Sequence, residues 1–257
     1  MYIYPLKSCR GNAVREMTLD DRGPAGDRRW MLVGPDNIFL TQRELPRMVL
    51  IHVVATRDGL ECTAPGMTKL RVSTPSNGAR HTAQVWDDTV EVMYASEAAG
   101  EWFSAYLARP CRPVYQPQNS LRPVDPNYAP PDKVVSLADG FPLLLICQGS
   151  LDDLNRRLQQ PVEMNRFRPN LVVKGAEPFA EDSWRRIRVG EIEFDVAKPC
   201  ARCAIPMVDP ATGTSGKEPI QTLATYRRRE NQVMFGQNLI HRRQGTLRVG
   251  ESVMVLE

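Results

Sequence analysis

Two cysteines separated by two residues are the feature of this sequence that most directly predicts chemistry. Cys200 and Cys203 enclose Arg202, just after an alternating segment typical of a strand. Thiolate is the ligand type that selects soft, redox-active metals, and a neighbouring arginine favours the thiolate form and can bind phosphate. The segment therefore predicts a metal or redox site near the carboxyl end of the chain.

Three other kinds of site use the same cysteine spacing. A structural zinc site needs a second pair of ligands, and the three histidines, His52, His81 and His241, are scattered without ligand spacing. A thioredoxin-like dithiol should begin a helix, whereas Pro206 and Pro210 disfavour a helix there. Two buried structural thiols are the third alternative, since free cysteine is among the most buried residue types. The spacing alone leaves this last alternative open.

Composition describes an ordinary globular protein. Hydrophobic residues make up 42% of the 257 positions, and 33 basic residues nearly balance 30 acidic ones, which gives no argument for a nucleic-acid partner. The longest apolar stretch, residues 141–147, is too short for a membrane span, and the first residues lack the pattern of a signal peptide. Six cysteines are too few for a disulfide framework. We expect a cytoplasmic protein without a membrane segment and with reduced thiols.

Short strands and few helices are predicted along the chain. Turn signals separate alternating segments into hairpins centred on residues 34–37, 57–59, 87–89, 190–191 and 250–251. A helix capped by Ser96 follows the first group, and a second helix capped by Ser150 follows a buried strand at residues 143–147. This pattern favours a mostly β protein with some α structure, in which a partly closed barrel packs the strands.

A proline-rich stretch at residues 116–133 lacks the pattern of a packed element. We place the junction of two domains there, one at residues 1–118 and one at residues 119–257. Two domains are also favoured by the chain length, which lies at the upper limit of a single hydrophobic core.

Several motifs in one order resemble the MOSC-domain family, the molybdenum cofactor sulfurase carboxyl-terminal domains, in the branch that contains the mitochondrial amidoxime reducing component. The front motifs lie at residues 3–11, 26–30 and 40–44, and the back motifs at residues 167–170, 181–184, 200–203, 208–213, 218–223 and 235–238. The resemblance implies an N-terminal MOSC-type β-barrel domain, residues 1–118, packed on a C-terminal MOSC β-barrel, residues 119–257.

The resemblance also implies a molybdenum cofactor, in which the metal is held by a pterin dithiolene and by one protein cysteine that matches Cys203. Asp139 matches a position near the metal that could relay protons. Positions that match the cofactor contacts of the family are Lys7, Ser8, Arg28, Gly140, Arg168, Asn170 and Arg202. Cys200 has no role in this scheme, and we expect it to pack beneath the loop. Residues 212–217 are expected to face the substrate.

The implied reaction is a two-electron reductive removal of oxygen from small N-hydroxylated compounds: amidoximes, N-hydroxyguanidines, hydroxylamines and N-hydroxylated bases. The chain has no four-cysteine cluster, so we expect a separate electron-donor protein of ferredoxin, flavoprotein or cytochrome type. A monomer suffices to hold one cofactor. Two alternatives remain open: a cofactor carrier or sulfur-transfer protein with a persulfide on Cys203, and a non-enzymatic anion-binding barrel with structural thiols.

Overall fold

Short strands make up most of the regular structure in the computed structural model, which describes residues 1–257. The strands are β1 (Tyr2–Ile3), β2 (Asn12–Ala13), β3 (Glu16–Asp20), β4 (Gly23–Pro24), β5 (Trp30–Val33), β6 (His52–Thr56), β7 (Gly59–Thr63), β8 (Leu70–Ser73), β9 (His81–Val85), β10 (Asp88–Tyr94), β11 (Arg112–Tyr115), β12 (Leu143–Cys147), β13 (Leu171–Val173), β14 (Arg186–Val189), β15 (Ile192–Arg202), β16 (Arg228–Arg229), β17 (Gln232–His241), β18 (Gly245–Arg248) and β19 (Val253–Val255). The helices are α1 (Glu97–Leu107), α2 (Gln148–Arg157) and α3 (Ile220–Ala224). None of them is long and apolar enough to cross a membrane.

The front half contains two antiparallel sheets that pack with α1. One has the order β5-β11-β10-β9 and the other the order β6-β7-β8, so most neighbours are joined by short turns. Helix α1 begins as predicted, because the Ser96 hydroxyl accepts a hydrogen bond from the Ala99 amide. Its buried face, which includes Trp102, Phe103 and Tyr106, closes one end of the core.

The back half is a seven-stranded sheet with the order β13-β12-β17-β15-β14-β19, and β16 pairs with β17. All pairs are antiparallel except β12 with β13. The sheet curls around a core that includes Phe194, Leu145 and Leu239, and it forms a nearly closed barrel. The predicted fold class, mostly β with α and with two barrel-like halves, is confirmed.

One strand crosses between the two halves. β3, close to the amino terminus, pairs with β18 near the carboxyl terminus through the register Leu19↔Gly245 to Glu16↔Arg248. Met17 and Leu19 are buried in the core of the back half. The predicted hairpin at residues 247–255 is therefore wrong, because β18 pairs with β3 while β19 pairs with β14.

Two further local predictions are wrong. Ser150 lies inside α2 rather than at its start, and its buried hydroxyl donates to Glu181. The stretch at residues 116–133 contains no helix or strand, but it is packed: Gln116, Ser120 and Arg122 are all buried. The split at residues 118 and 119 stays a prediction.

Candidate functional site

A cavity of about 110 Å³ lies where the two halves meet, and all nine residues predicted for the site line it. The front half contributes Lys7, Ser8 and Arg28, and the back half contributes Asp139, Gly140, Arg168, Asn170, Arg202 and Cys203. Residues separated by more than a hundred positions in the chain therefore share one pocket. The structure brings the predicted set together, and none of its members lies elsewhere.

The two thiols of the cysteine pair have different neighbours. Cys200 belongs to β15 and Cys203 follows the end of that strand. Cys203 Sγ accepts a hydrogen bond from Arg43 Nη1 at 3.4 Å, whereas Arg202 Nη1 donates to Cys200 Sγ at 3.1 Å. The arginine next to Cys203 in the sequence thus contacts the other thiol, and the cation at Cys203 comes from the front half.

Cys200 does not pack beneath the loop as predicted. Its side chain is only partly buried and lines the same cavity as Cys203. None of residues 212–217 lines this cavity, and their expected contact with the substrate stays a prediction. Gly213 in that segment instead lies against Arg47 and Leu50 of the front half.

Lys7 and Asp139 form an ion pair at one side of the cavity. Lys7 Nζ donates to Asp139 Oδ1 at 2.6 Å and to the Leu137 carbonyl at 2.7 Å. Burial lowers the pKa of Lys7 to about 8, against the opposing effect of Asp139. Desolvation acts to raise the pKa of Asp139, although the side chain keeps 55% of its surface exposed, but the charge of Lys7 and its hydrogen bond together outweigh this effect. The Lys7 ammonium holds the pKa of Asp139 well below its usual range.

Arg122, which sequence reasoning missed, holds the turn that carries Asp139. Its guanidinium is buried and donates to the carbonyls of Ser136, Ala138 and Asp139. It also donates through Nε to Asp88 at 2.7 Å. The proline-rich stretch around it gave no signal for this role, because a buried arginine that caps backbone carbonyls has no sequence pattern of its own.

Two arginines of the cavity lie against the ring of Tyr4. The Cζ atoms of Arg28 and Arg168 are 4.4 Å and 4.3 Å from the ring centroid. Arg28 also pairs with Asp27 at 2.5 Å; desolvation acts to lower its pKa, but Asp27 raises it above the usual value. Burial lowers the pKa of Arg168 to about 10, so both arginines stay charged at neutral pH. The Tyr4 ring therefore makes cation–π contacts with two positive charges that lie side by side.

Some polar groups at the cavity have hydrogen-bond partners within the protein, and others have none. Asn170 is buried, and its side-chain amide donates to Tyr2 and Asp27, so it ties the front half to the back. Arg168 Nη2 is buried without a hydrogen-bond partner, and so is Arg202 Nε. Ser8 and Arg168 have φ angles of 65° and 57°, the strained left-handed region that often marks ligand sites.

Two more residues at the rim were not predicted as site residues. The Arg43 guanidinium lies 4.4 Å from the Trp86 ring centroid, and Trp86 Nε1 donates to Asp139 Oδ1 at 3.4 Å. Arg43 lies in a front motif, residues 40–44, and Trp86 in the turn between β9 and β10. The motif marked the segment that carries Arg43, but only the fold shows where its side chain points.

Comparison with known proteins agrees with this arrangement. Residues 1–110 match the MOSC N-terminal beta barrel domain and residues 132–254 match the MOSC domain. The chain is 34% identical to mitochondrial amidoxime-reducing component 1 of Homo sapiens, over 100% of this chain and 82% of that protein. It is 33% identical to mitochondrial amidoxime reducing component 2 of Rattus norvegicus, over 98% of this chain and 81% of that protein.

The chain is also 31% identical to mitochondrial amidoxime-reducing component 1 of Xenopus laevis, over 98% of this chain and 80% of that protein. The similarity to these relatives therefore spans both halves of the chain and nearly its whole length. The chain belongs to the family of MOSC-domain proteins that carry a MOSC N-terminal beta barrel domain.

Proposed function

We propose that this protein is a molybdenum-cofactor-dependent reductase that removes oxygen from small N-hydroxylated compounds. The observation that carries the proposal is the placement of one thiol, Cys203, in a cavity lined with cations from both halves of the chain. The relatives named amidoxime-reducing components support the choice of substrate class.

The donor set of the cavity suits a phosphate-bearing pterin with a thiolate-bound metal. Lys7, Arg28 and Arg168 supply cations that favour an anionic group, and Arg168 Nη2 has no partner within the protein. A Cβ built on Gly140 would meet no atom within 4 Å, so the cavity has open space beside that residue. Cys203 would be the protein ligand of the metal, because thiolate suits a redox-active centre.

When bound, the cofactor supplies the redox chemistry that breaks the N–O bond. The residues of the chain bind and orient the reactants. Arg43 neutralises negative charge at Cys203 from 3.4 Å away, and Lys7 holds Asp139 in place through the 2.6 Å contact. Asp139 is ionised and half-exposed, and its low pKa makes it a weak base, so its role is to accept hydrogen bonds and orient the water that exchanges protons at the cavity mouth.

Release of one water molecule from the N–OH group consumes two protons and two electrons. We propose that the electrons are delivered by a separate donor protein, since the reaction needs a supply that can be renewed at each turnover. A chemical reductant can replace the donor in the assay, so the test of the reaction does not depend on the identity of the partner.

The experiment compares two single-cysteine variants that differ only in position. Cys203→Ala should lose molybdenum, measured per chain together with pterin fluorescence, and should lose benzamidoxime reduction by a chemical donor. Cys200→Ala, which removes the other thiol of the same cavity, should retain both. Equal metal content and equal activity in the two variants would rule out the proposed role of Cys203.

The same preparation tests the two alternatives. A sulfur-transfer protein would carry an additional sulfur on Cys203, visible by mass spectrometry, without molybdenum. An anion-binding barrel with structural thiols would show neither metal nor sulfur, and Cys203→Ala would lower the free energy of unfolding without a loss of activity.

A further inference from the structure

Trp86 occupies a turn in a backbone conformation that bulky residues rarely adopt. β9 and β10 pair up to Val85 and Asp88, so Trp86 and Asp87 form a two-residue turn in which Trp86 has a φ of 56°. Glycine is the usual residue at a turn position with positive φ, because other side chains are strained there. A strained position that keeps a large aromatic side chain points to a role for that side chain.

The indole of Trp86 lies at the mouth of the cavity. It contacts two groups that border the proposed reaction centre: Nε1 donates to Asp139 at 3.4 Å, and the ring lies under Arg43, which in turn contacts Cys203. Phe39 adds a tilted ring contact at 5.2 Å. Despite these neighbours Trp86 remains 44% exposed, so part of the indole surface is open to an incoming ligand.

Asp139 offers an acceptor at the same place. Lys7 and Trp86 both donate to Oδ1, while Oδ2 has no hydrogen-bond partner within the protein. The side chain is half-exposed, so Oδ2 can accept a hydrogen bond from a ligand N–H. A flat apolar surface and a free carboxylate oxygen together suit a planar ligand that carries an N–H group.

We propose that Trp86 is a specificity-determining residue whose indole stacks on the planar N–C–N group of the substrate while Asp139 Oδ2 accepts a hydrogen bond from its N–H. This inference rests on the proposed function, which assigns the cavity to N-hydroxylated compounds. It narrows the preferred class to amidoximes, N-hydroxyguanidines and N-hydroxylated bases. Alkyl hydroxylamines lack the conjugated plane and the second nitrogen, so they gain nothing from stacking on the indole.

The test uses Trp86→Gly, which removes the ring but suits the turn. Its matched control is Glu230→Gly, because Glu230 has a φ of 53° in the corresponding two-residue turn between β16 and β17. The ratio of kcat/KM for benzamidoxime over N-methylhydroxylamine should fall about 10-fold in Trp86→Gly, the usual effect of losing an aromatic stack. The ratio should not change in Glu230→Gly, and Trp86→Phe should keep most of it.

Binding to the cofactor-free protein gives a readout that does not depend on turnover. Calorimetric titration with benzamidoxime should show about 10-fold weaker binding for Trp86→Gly than for the wild type. An unchanged ratio and an unchanged affinity in Trp86→Gly would overturn the inference and leave the proposed function standing. If the loaded wild-type protein reduces neither compound, the proposed function fails, and the titration alone decides the role of Trp86.

Discussion

Arg43 Nη1 lies 3.4 Å from Cys203 Sγ, although 160 positions separate the two residues in the chain. Arg43 follows the first strands of the front half, and Cys203 comes directly after the longest strand of the back half. Arg43 forms no ion pair with a carboxylate and is held instead by the ring of Trp86. The thiol proposed to bind the metal therefore faces a cation supplied by the other half of the molecule.

Replacement of Arg43 by glutamine should weaken retention of the metal. The variant removes a charged hydrogen-bond donor to Cys203, and such a bond contributes about 1.5–3 kcal/mol, or at least about 10-fold in affinity. Molybdenum per chain after dialysis against a chelator measures the effect. Arg47→Gln is the control, since Arg47 is exposed and lies over Tyr106 rather than at the cavity. Equal retention in the two variants would contradict the prediction.

Gly140→Leu should block the cavity without unfolding the protein. A side chain at Gly140 meets open space and requires no unusual φ, so the free energy of unfolding should change by no more than about 0.5 kcal/mol. Pterin fluorescence after cofactor loading should be lost. Gly216→Leu offers the same steric freedom away from the cavity and should load normally. A fully loaded Gly140→Leu protein would show that the cofactor does not occupy this space.

Lys7 should give the stability of the protein a specific pH dependence. Its pKa is lowered from 10.5 to about 8 by burial, so between these pH values the unfolded chain binds more protons than the folded one. The contribution of Lys7 to the free energy of unfolding should therefore rise from pH 8 to pH 10.5, by up to about 3 kcal/mol. Chemical denaturation at several pH values should show this rise as a change in the difference between the wild type and Lys7→Met, because buried thiols with raised pKa values affect both proteins equally.

Lys174→Met is the control for this pH series, because Lys174 is exposed and forms no ion pair. Its stability curve should run parallel to that of the wild type over the whole pH range. Parallel curves for the wild type and Lys7→Met would mean that Lys7 is as easily protonated in the folded chain as in the unfolded one.

Two substitutions of Tyr4 should separate its ring from its hydroxyl. Tyr4→Phe keeps the ring against Arg28 and Arg168 and loses only the 3.0 Å hydrogen bond to the Pro169 carbonyl, at a cost of about 1 kcal/mol. Tyr4→Leu also loses two cation–π contacts, each about 0.5–2 kcal/mol, and should cost about 3 kcal/mol. Denaturant unfolding measures both, and equal losses would show that the ring contacts contribute nothing.

The sequence was most informative where short motifs set the local structure of the site. Four of the site residues lie in short motifs of consecutive residues and line one cavity: Lys7, Arg28, Arg168 and Cys203. The helix start at Ser96 was equally readable, because a cap is a local signal.

Features that depend on distant pairing could not be predicted in this way. Ser150 has the residue type of a cap, yet its hydroxyl donates to the buried Glu181, 31 positions away. The alternation around Gly250 is typical of a hairpin, but the competing partner of β18 is β3, at the opposite end of the chain. No local sequence pattern distinguishes Trp86 from an ordinary strand residue. Its position at the rim of the cavity follows from where the turn between β9 and β10 lies in the folded chain.

The pairing of β3 with β18 fastens the two walls of the cavity to each other. Arg28 lies eight positions after Asp20, the last residue of β3, so the wall that carries it is anchored through β3 to a strand of the back half. A hinge-like parting of the walls would have to peel this strand away and expose Met17 and Leu19 to water. Removal of β18 would therefore loosen the wall that carries Arg28 from more than two hundred residues away.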